Sequence, residues 1–204
     1  MYSDNEEVKT IHKGDLWTLW KIYQSDQKFY ENFFFKLSCY LTLAFIISSF
    51  LTTISTYELI LKVINTSIAI LPNLIGFNLG AYILVVGFGS TEILKAITKP
   101  LQGQNKFSFY QKLNGVLGVS IIIQIAALLA SFLFSLWNEI QKSLIWIPQN
   151  KCLIALIIMI NIFVLFLITL LVIYSFLLLI NVVKHVFMFA QTIHFCIYKE
   201  LKNK

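Results

Sequence analysis

Four long segments of this chain contain no Asp, Glu, Lys or Arg. A membrane core about 30 Å thick requires about 20 consecutive apolar residues of an α-helix. The charge-free segments are 37–57, 63–91, 113–138 and 152–183. Only 13% of the residues are charged, against about 25% in a soluble domain. The pattern therefore predicts an all-α, polytopic integral membrane protein with four transmembrane helices. We expect the spans at about 37–57, 68–90, 113–136 and 152–183.

The lysines predict the orientation of these spans. All 16 basic residues are Lys. Five precede the first span, four lie between the second and third, and four follow the fourth, whereas the two remaining connections hold one and two. Positively charged segments stay on the cytoplasmic side. We therefore expect both termini in the cytoplasm and the protein in a cell membrane, the inner or plasma membrane. The absence of Arg disfavours a nucleic-acid partner, since such sites depend on bidentate Arg contacts.

Three regions follow from this topology. Residues 1–36 form a cytoplasmic segment with no signal-peptide pattern, residues 37–183 form the four-helix membrane domain, and residues 184–204 form a cytoplasmic helical tail. The fourth charge-free segment would measure about 48 Å as a helix, so it must tilt or continue into the tail.

The N-terminal region contains an aromatic helix. Asp15 is the expected capping residue, and Leu16, Trp20 and Tyr23 follow at helical spacing. Such a helix can lie along the membrane surface, or it can pack on its own bundle. Four tryptophans are candidate anchors at the membrane interface, namely Trp17, Trp20, Trp137 and Trp146.

The second span carries glycines on one side. Asn73, Gly76, Gly80 and Gly87 share a helical face, and Gly76-x-x-x-Gly80 allows two helix backbones to approach closely in lipid. Pro72 is expected near the start of this span. The face could accept another span of the same chain, or it could form a subunit interface or a pore-facing surface. A phosphate-binding loop at Gly87–Glu92 is excluded because neither a third glycine nor a Lys-Ser/Thr pair follows.

The third span carries a polar stripe. Ser120, Gln124 and Ser131 lie on one face, with Gln124 in the middle of the span. These side chains could line a pore formed by several subunits. The alternative is hydrogen bonding between helices inside one subunit.

Residues that could catalyse a reaction, bind a metal or couple transport to an ion are sparse. All Asp residues precede the first span, and His12, His185 and His194 have no partner at metal-ligand spacing. The four spans contain no ionisable group of the kind that coupled carriers keep in the membrane. We therefore expect neither an enzyme nor a metal or cofactor site.

Two functions remain. The first is a small oligomeric pore, channel or membrane-permeabilising effector, of a kind that would suit bacterial stress or phage defence. The second is a non-conducting membrane subunit or scaffold that anchors a cytoplasmic partner. The expected partners are the lipid bilayer, further copies of this chain and a possible cytoplasmic protein.

Overall fold

The computed structural model describes residues 14–25, 28–87, 97–98, 107–143 and 151–202. The ordered elements are all helices in these ranges. They are α1 (Leu16–Tyr23), a 3₁₀ helix (Phe29–Glu31), α2 (Phe33–Ser49), α3 (Thr56–Gly87), α4 (Phe109–Ser143) and α5 (Lys151–Lys202).

The start of α1 confirms the predicted cap. The Asp15 carboxylate accepts a hydrogen bond from the Thr18 backbone N–H at 2.8 Å, which satisfies one of the unpaired donors at the helix N-terminus. Because α1 has only eight residues, it depends on packing rather than on its own hydrogen bonds for stability.

Helix α2 ends at Ser49, earlier than the predicted span end near residue 57. After Ser49 the backbone N–H groups of Phe50, Leu51 and Thr52 bond to carbonyls three residues back, so the α-helical pattern ends there. Two hydroxyls add bonds of the same span. Ser49 Oγ donates to the Ile46 carbonyl at 2.6 Å, and Thr52 Oγ1 donates to the Ser49 carbonyl at 2.9 Å. Such local bonds compete with the helical pattern. At 17 residues, α2 measures about 26 Å, slightly less than the hydrocarbon core.

Helix α3 begins twelve residues before the predicted span, at Thr56 rather than 68. The sequence Ser55-x-x-Glu58 caps it, since Glu58 N–H donates to Ser55 Oγ at 3.2 Å. Consequently Pro72 lies inside the helix instead of near its start. A membrane helix tolerates an internal proline when neighbouring groups satisfy the freed carbonyl.

The remaining two helices are longer than predicted. Ser108 and Gln111 cap α4 reciprocally: Gln111 N–H donates to Ser108 Oγ at 3.2 Å, and Ser108 N–H donates to Gln111 Oε1 at 2.9 Å. Helix α5 has 52 residues, about 78 Å at helical rise. It joins the predicted fourth span and the predicted tail in one continuous helix.

The chain forms two compact units. Unit 1 comprises the described residues of 1–32, 78–121 and 180–204, and unit 2 comprises 33–77 and 122–179. The core of unit 1 includes Leu113, Leu117 and Val182. The core of unit 2 includes Ile60, Ile64, Leu165 and Ile168.

Candidate functional site

Unit 2 buries polar side chains and exposes large apolar ones. Ile47, Met159 and Phe163 are exposed. The buried polar residues of this unit are Ser38, Thr42, Ser67, Gln124, Ser131, Asn138, Thr169 and Ser175. A soluble protein usually buries its apolar residues and leaves polar ones in water. Extensive apolar exposure of this kind suits a lipid environment, where helices associate through polar and small residues.

Most of the buried serines bond within their own helix. Ser38 Oγ donates to the Phe35 carbonyl at 2.7 Å, and Ser67 Oγ donates to the Val63 carbonyl at 2.6 Å. Ser175 Oγ donates to the Leu171 carbonyl at 2.7 Å. These hydroxyls are therefore satisfied without water.

The three candidate pore-lining residues are all buried inside the chain. In unit 2, the Gln124 amide Nε2 donates to the Ser175 carbonyl at 3.3 Å, and Ser131 Oγ donates to the Ala127 carbonyl at 2.9 Å. Ser120 belongs to unit 1, where it donates to the Val116 carbonyl at 2.7 Å. The Gln124 bond joins α4 to α5 and is the interhelical contact considered above as the alternative to pore lining.

Two threonines of unit 2 differ from these serines. The Oγ1 atoms of Thr42 and Thr169 are buried and have no hydrogen-bond partner among the described residues. Leaving a buried hydroxyl unpaired costs about 1–3 kcal/mol. Thr42 belongs to a polar stripe visible in the first charge-free segment. Thr169 was missed, although it is the single threonine in the fourth segment, which could have identified it.

The glycine face of α3 is open. Asn73, Gly76, Gly80 and Gly87 are all exposed. A Cβ atom added at any of the three glycines would have no described neighbour within 4 Å. The structure therefore does not cover this face with another described helix of the same chain.

Two other glycines make the close contacts in unit 1. A Cβ atom on Gly118 would lie 2.7 Å from Leu19 Cδ1, and one on Gly115 would lie 2.9 Å from Ile22 Cγ2. Helix α1 therefore packs directly on the backbone of α4. Sequence reasoning missed this contact, although Gly115-x-x-Gly118 is a visible signal. A cavity of about 320 Å³ borders the contact, lined in part by Asp15, Tyr82, Gln111 and Asn114.

The outer side of α1 is aromatic and basic. Leu16 is 73% and Trp17 63% exposed, and Lys21 Nζ lies 5.7 Å from the centroid of the Trp17 ring. After the helix, Lys28 Nζ lies 5.7 Å from the Tyr30 ring. The Tyr30 hydroxyl and the Glu31 carboxylate raise the pKa of Lys28 above its usual value.

The remaining anchor candidates occupy different surroundings. Trp20 is half-buried, with its ring centroid 5.4 Å from that of Phe29. Trp137, near the end of α4, is exposed. Trp146 lies outside the described residues. No group of three His, Cys, Asp or Glu residues that could hold a metal ion occurs in the described ranges.

These features define the class of the protein. The described chain is all-helical and contains three helices long and apolar enough to cross a membrane, Thr56–Gly87, Phe109–Ile140 and Cys152–Lys199. By length and composition it is a possible multi-pass membrane protein. Comparisons with protein-family models, curated proteins and solved structures found no match to this chain.

Proposed function

We propose that this protein is a small oligomeric membrane channel or permeabilising protein. It has four spans, with both termini in the cytoplasm. The observation that carries the proposal is the polar interior of unit 2, where the Thr42 and Thr169 hydroxyls are buried without a partner.

The four-span topology rests on three long helices and one short one. Helix α2 is apolar but has 17 residues, so it needs local thinning of the bilayer or the following residues to complete a crossing. The lysine distribution supports the same even number of spans, because it assigns both termini to one side.

A hydrated interior explains the unpaired threonines. Water that enters unit 2 would hydrogen-bond both hydroxyls and remove the cost of burying them unpaired. Both hydroxyls are buried and lipid acyl chains carry no hydrogen-bonding group, so lipid cannot supply those bonds. The proposed path therefore runs through the interior of each subunit, beside Gln124 and Ser131, instead of between subunits.

The open face of α3 supports assembly into oligomers. Gly76 and Gly80 lie one helical turn apart, and both have open space where a side chain would stand. Close approach of two helix backbones at such a pair gains van der Waals contact that lipid tails do not provide as well. A second copy of α3 is the proposed neighbour.

One observation favours the scaffold as a second candidate function. In unit 1, an apolar groove of about 260 Å³ lies beside α5 and is lined by residues that include Leu84, Val186, Phe189 and Ile193. In the scaffold, an apolar segment of a partner protein would occupy this groove, and no solute would cross the membrane.

Flux of small ions and of water from liposomes tests the proposal. The wild-type protein is compared with Gln124→Leu, which removes the interior amide, and with Gln191→Leu, which removes an exposed amide from α5. We expect flux in the wild type and in Gln191→Leu and a large loss in Gln124→Leu. Equal flux in all three folded proteins would exclude the interior path. Absence of flux in all three, together with recovery of a protein bound at the groove, would favour the scaffold.

A further inference from the structure

The N-terminal segment of unit 1 is a folded platform. The Trp20 and Phe29 rings pack in a tilted arrangement with their centroids 5.4 Å apart, and the Asn32 amide donates to the Tyr23 hydroxyl at 3.1 Å. These contacts hold α1 and the 3₁₀ helix together. On its inner side, α1 rests on Gly115 and Gly118. The inner contacts therefore determine which side chains of α1 point away from the protein.

The exposed side chains of this platform include two pairs, each made of a lysine ammonium group and an aromatic ring. Lys21 lies over the Trp17 ring and Lys28 lies over the Tyr30 ring, each at 5.7 Å from Nζ to the ring centroid. Trp17 is 63% and Tyr30 58% exposed. Within about 6 Å of an aromatic face, an ammonium group is attracted by the ring and keeps donors for other ligands.

This combination matches the chemistry of a membrane surface. Trp and Tyr side chains favour the headgroup zone, because their rings are apolar and their N–H or O–H groups need polar partners. Lysines near an anionic membrane surface are attracted by its negative potential. The platform also directly precedes α2, an apolar helix that begins at Phe33, so the chain keeps it close to the bilayer.

We infer that Trp17, Lys21, Lys28 and Tyr30 form a binding site for the phosphate headgroups of anionic lipids. The two ammonium groups pair with lipid phosphates, while the two rings and the exposed Leu16 side chain lie at the level of the glycerol and upper acyl chains. The Glu31 carboxylate interacts electrostatically with Lys28 and competes with a lipid phosphate for this amine. The inference depends on the proposed membrane location and is independent of permeation.

Quenching of Trp17 fluorescence by brominated lipids tests the site. The protein carries Trp20→Phe, Trp137→Phe and Trp146→Phe, so that only Trp17 emits, and it is reconstituted in phosphatidylcholine vesicles. A small fraction of the lipid is brominated near the headgroup end of its chains, either as phosphatidylglycerol or as phosphatidylcholine. We expect stronger quenching by the anionic lipid at equal mole fraction.

The lysine variants decide whether the site causes this preference. Lys21→Gln and Lys28→Gln should each lower the relative affinity for the anionic lipid about fivefold. Lys62→Gln, which removes an exposed lysine of α3, should leave it unchanged. High salt should reduce the preference, because it screens exposed charges.

Three results would overturn the inference. Equal quenching by both lipids would exclude headgroup selection. Absence of quenching by either lipid, with circular dichroism showing a folded protein, would indicate that this surface faces solvent or a protein instead of lipid. Displacement of the anionic lipid by soluble glycerol phosphate at equal concentration would assign the site to free phosphate compounds. Because no flux is measured, failure here is distinguishable from failure of the channel proposal.

Discussion

Ile22 of α1 packs directly over Gly115 of α4. A Cβ atom on Gly115 would lie 2.9 Å from Ile22 Cγ2 and 3.3 Å from the Tyr23 backbone nitrogen. The nearest atoms are thus a β-branched side chain and the backbone, neither of which moves easily. At Gly118 the nearest atom is the end of the flexible Leu19 side chain.

This difference predicts opposite effects of two alanine substitutions. Gly115→Ala should weaken α1 packing by about 1–3 kcal/mol, as overpacking does in a close-packed core. Gly118→Ala should be neutral or slightly stabilising, because alanine gains about 1 kcal/mol over glycine in a helix and Leu19 can rotate. Hydrogen exchange of the α1 amides in detergent measures both effects. Equal protection of α1 in the two variants would contradict the contact at Gly115.

The unpaired threonines predict a separation of stability from flux. Thr42→Val and Thr169→Val replace a buried hydroxyl with a methyl group. If water in the proposed path satisfies these hydroxyls, each variant should reduce flux without raising the free energy of unfolding. A rise of about 1 kcal/mol in the free energy of unfolding with unchanged flux would instead show that the interior is dry and the hydroxyls unpaired. Denaturation in detergent and liposome flux supply the two measurements.

Thr192→Val is the matched control for these variants. Thr192 Oγ1 is satisfied by the Met188 carbonyl at 2.9 Å, so its removal should change neither stability nor flux by a comparable amount. A loss of stability in Thr42→Val would indicate that its hydroxyl has a partner in the native protein.

The open face of α3 predicts the effect of a bulky residue on assembly. Gly80→Leu fills the space where two α3 helices would approach, so it should shift the protein from oligomer to monomer. Ala126→Leu adds a similar side chain at an exposed position of α4 and should leave assembly unchanged. Native mass spectrometry counts the subunits. Identical oligomers in both variants would remove the glycine face from the interface.

The cysteines test the proposed topology. Cys152 is exposed at the start of α5, which the four-span topology assigns to the outer side. Cys196 is half-buried near the end of the same helix and is assigned to the cytoplasm. In intact cells, a membrane-impermeant maleimide should label Cys152 and spare Cys196, with both labelled after permeabilisation. The reverse labelling in intact cells would invert the topology.

Periodicity and charge predicted the helical class well, but helix ends depended on local bonds. The charge-free segments located the apolar core of each long helix, and Asp15 was correctly predicted as a cap. The early end of α2 coincides with hydrogen bonds of Ser49 and Thr52, and the early start of α3 coincides with the cap at Ser55. Those hydroxyls are compatible with either a helix or a turn, so composition alone did not decide between them.

The sequence by itself determined that this chain builds long apolar helices, because the absence of charge over many residues is a property of the chain alone. The tertiary structure decided which small residues make close contacts. Gly76-x-x-x-Gly80 has the stronger packing pattern but faces open space, whereas Gly115 and Gly118 receive α1. It also enclosed Gln124 within one chain, against α5. The sequence of one helix does not specify which of its faces is covered. Only the positions of the neighbouring helices determine which face becomes buried.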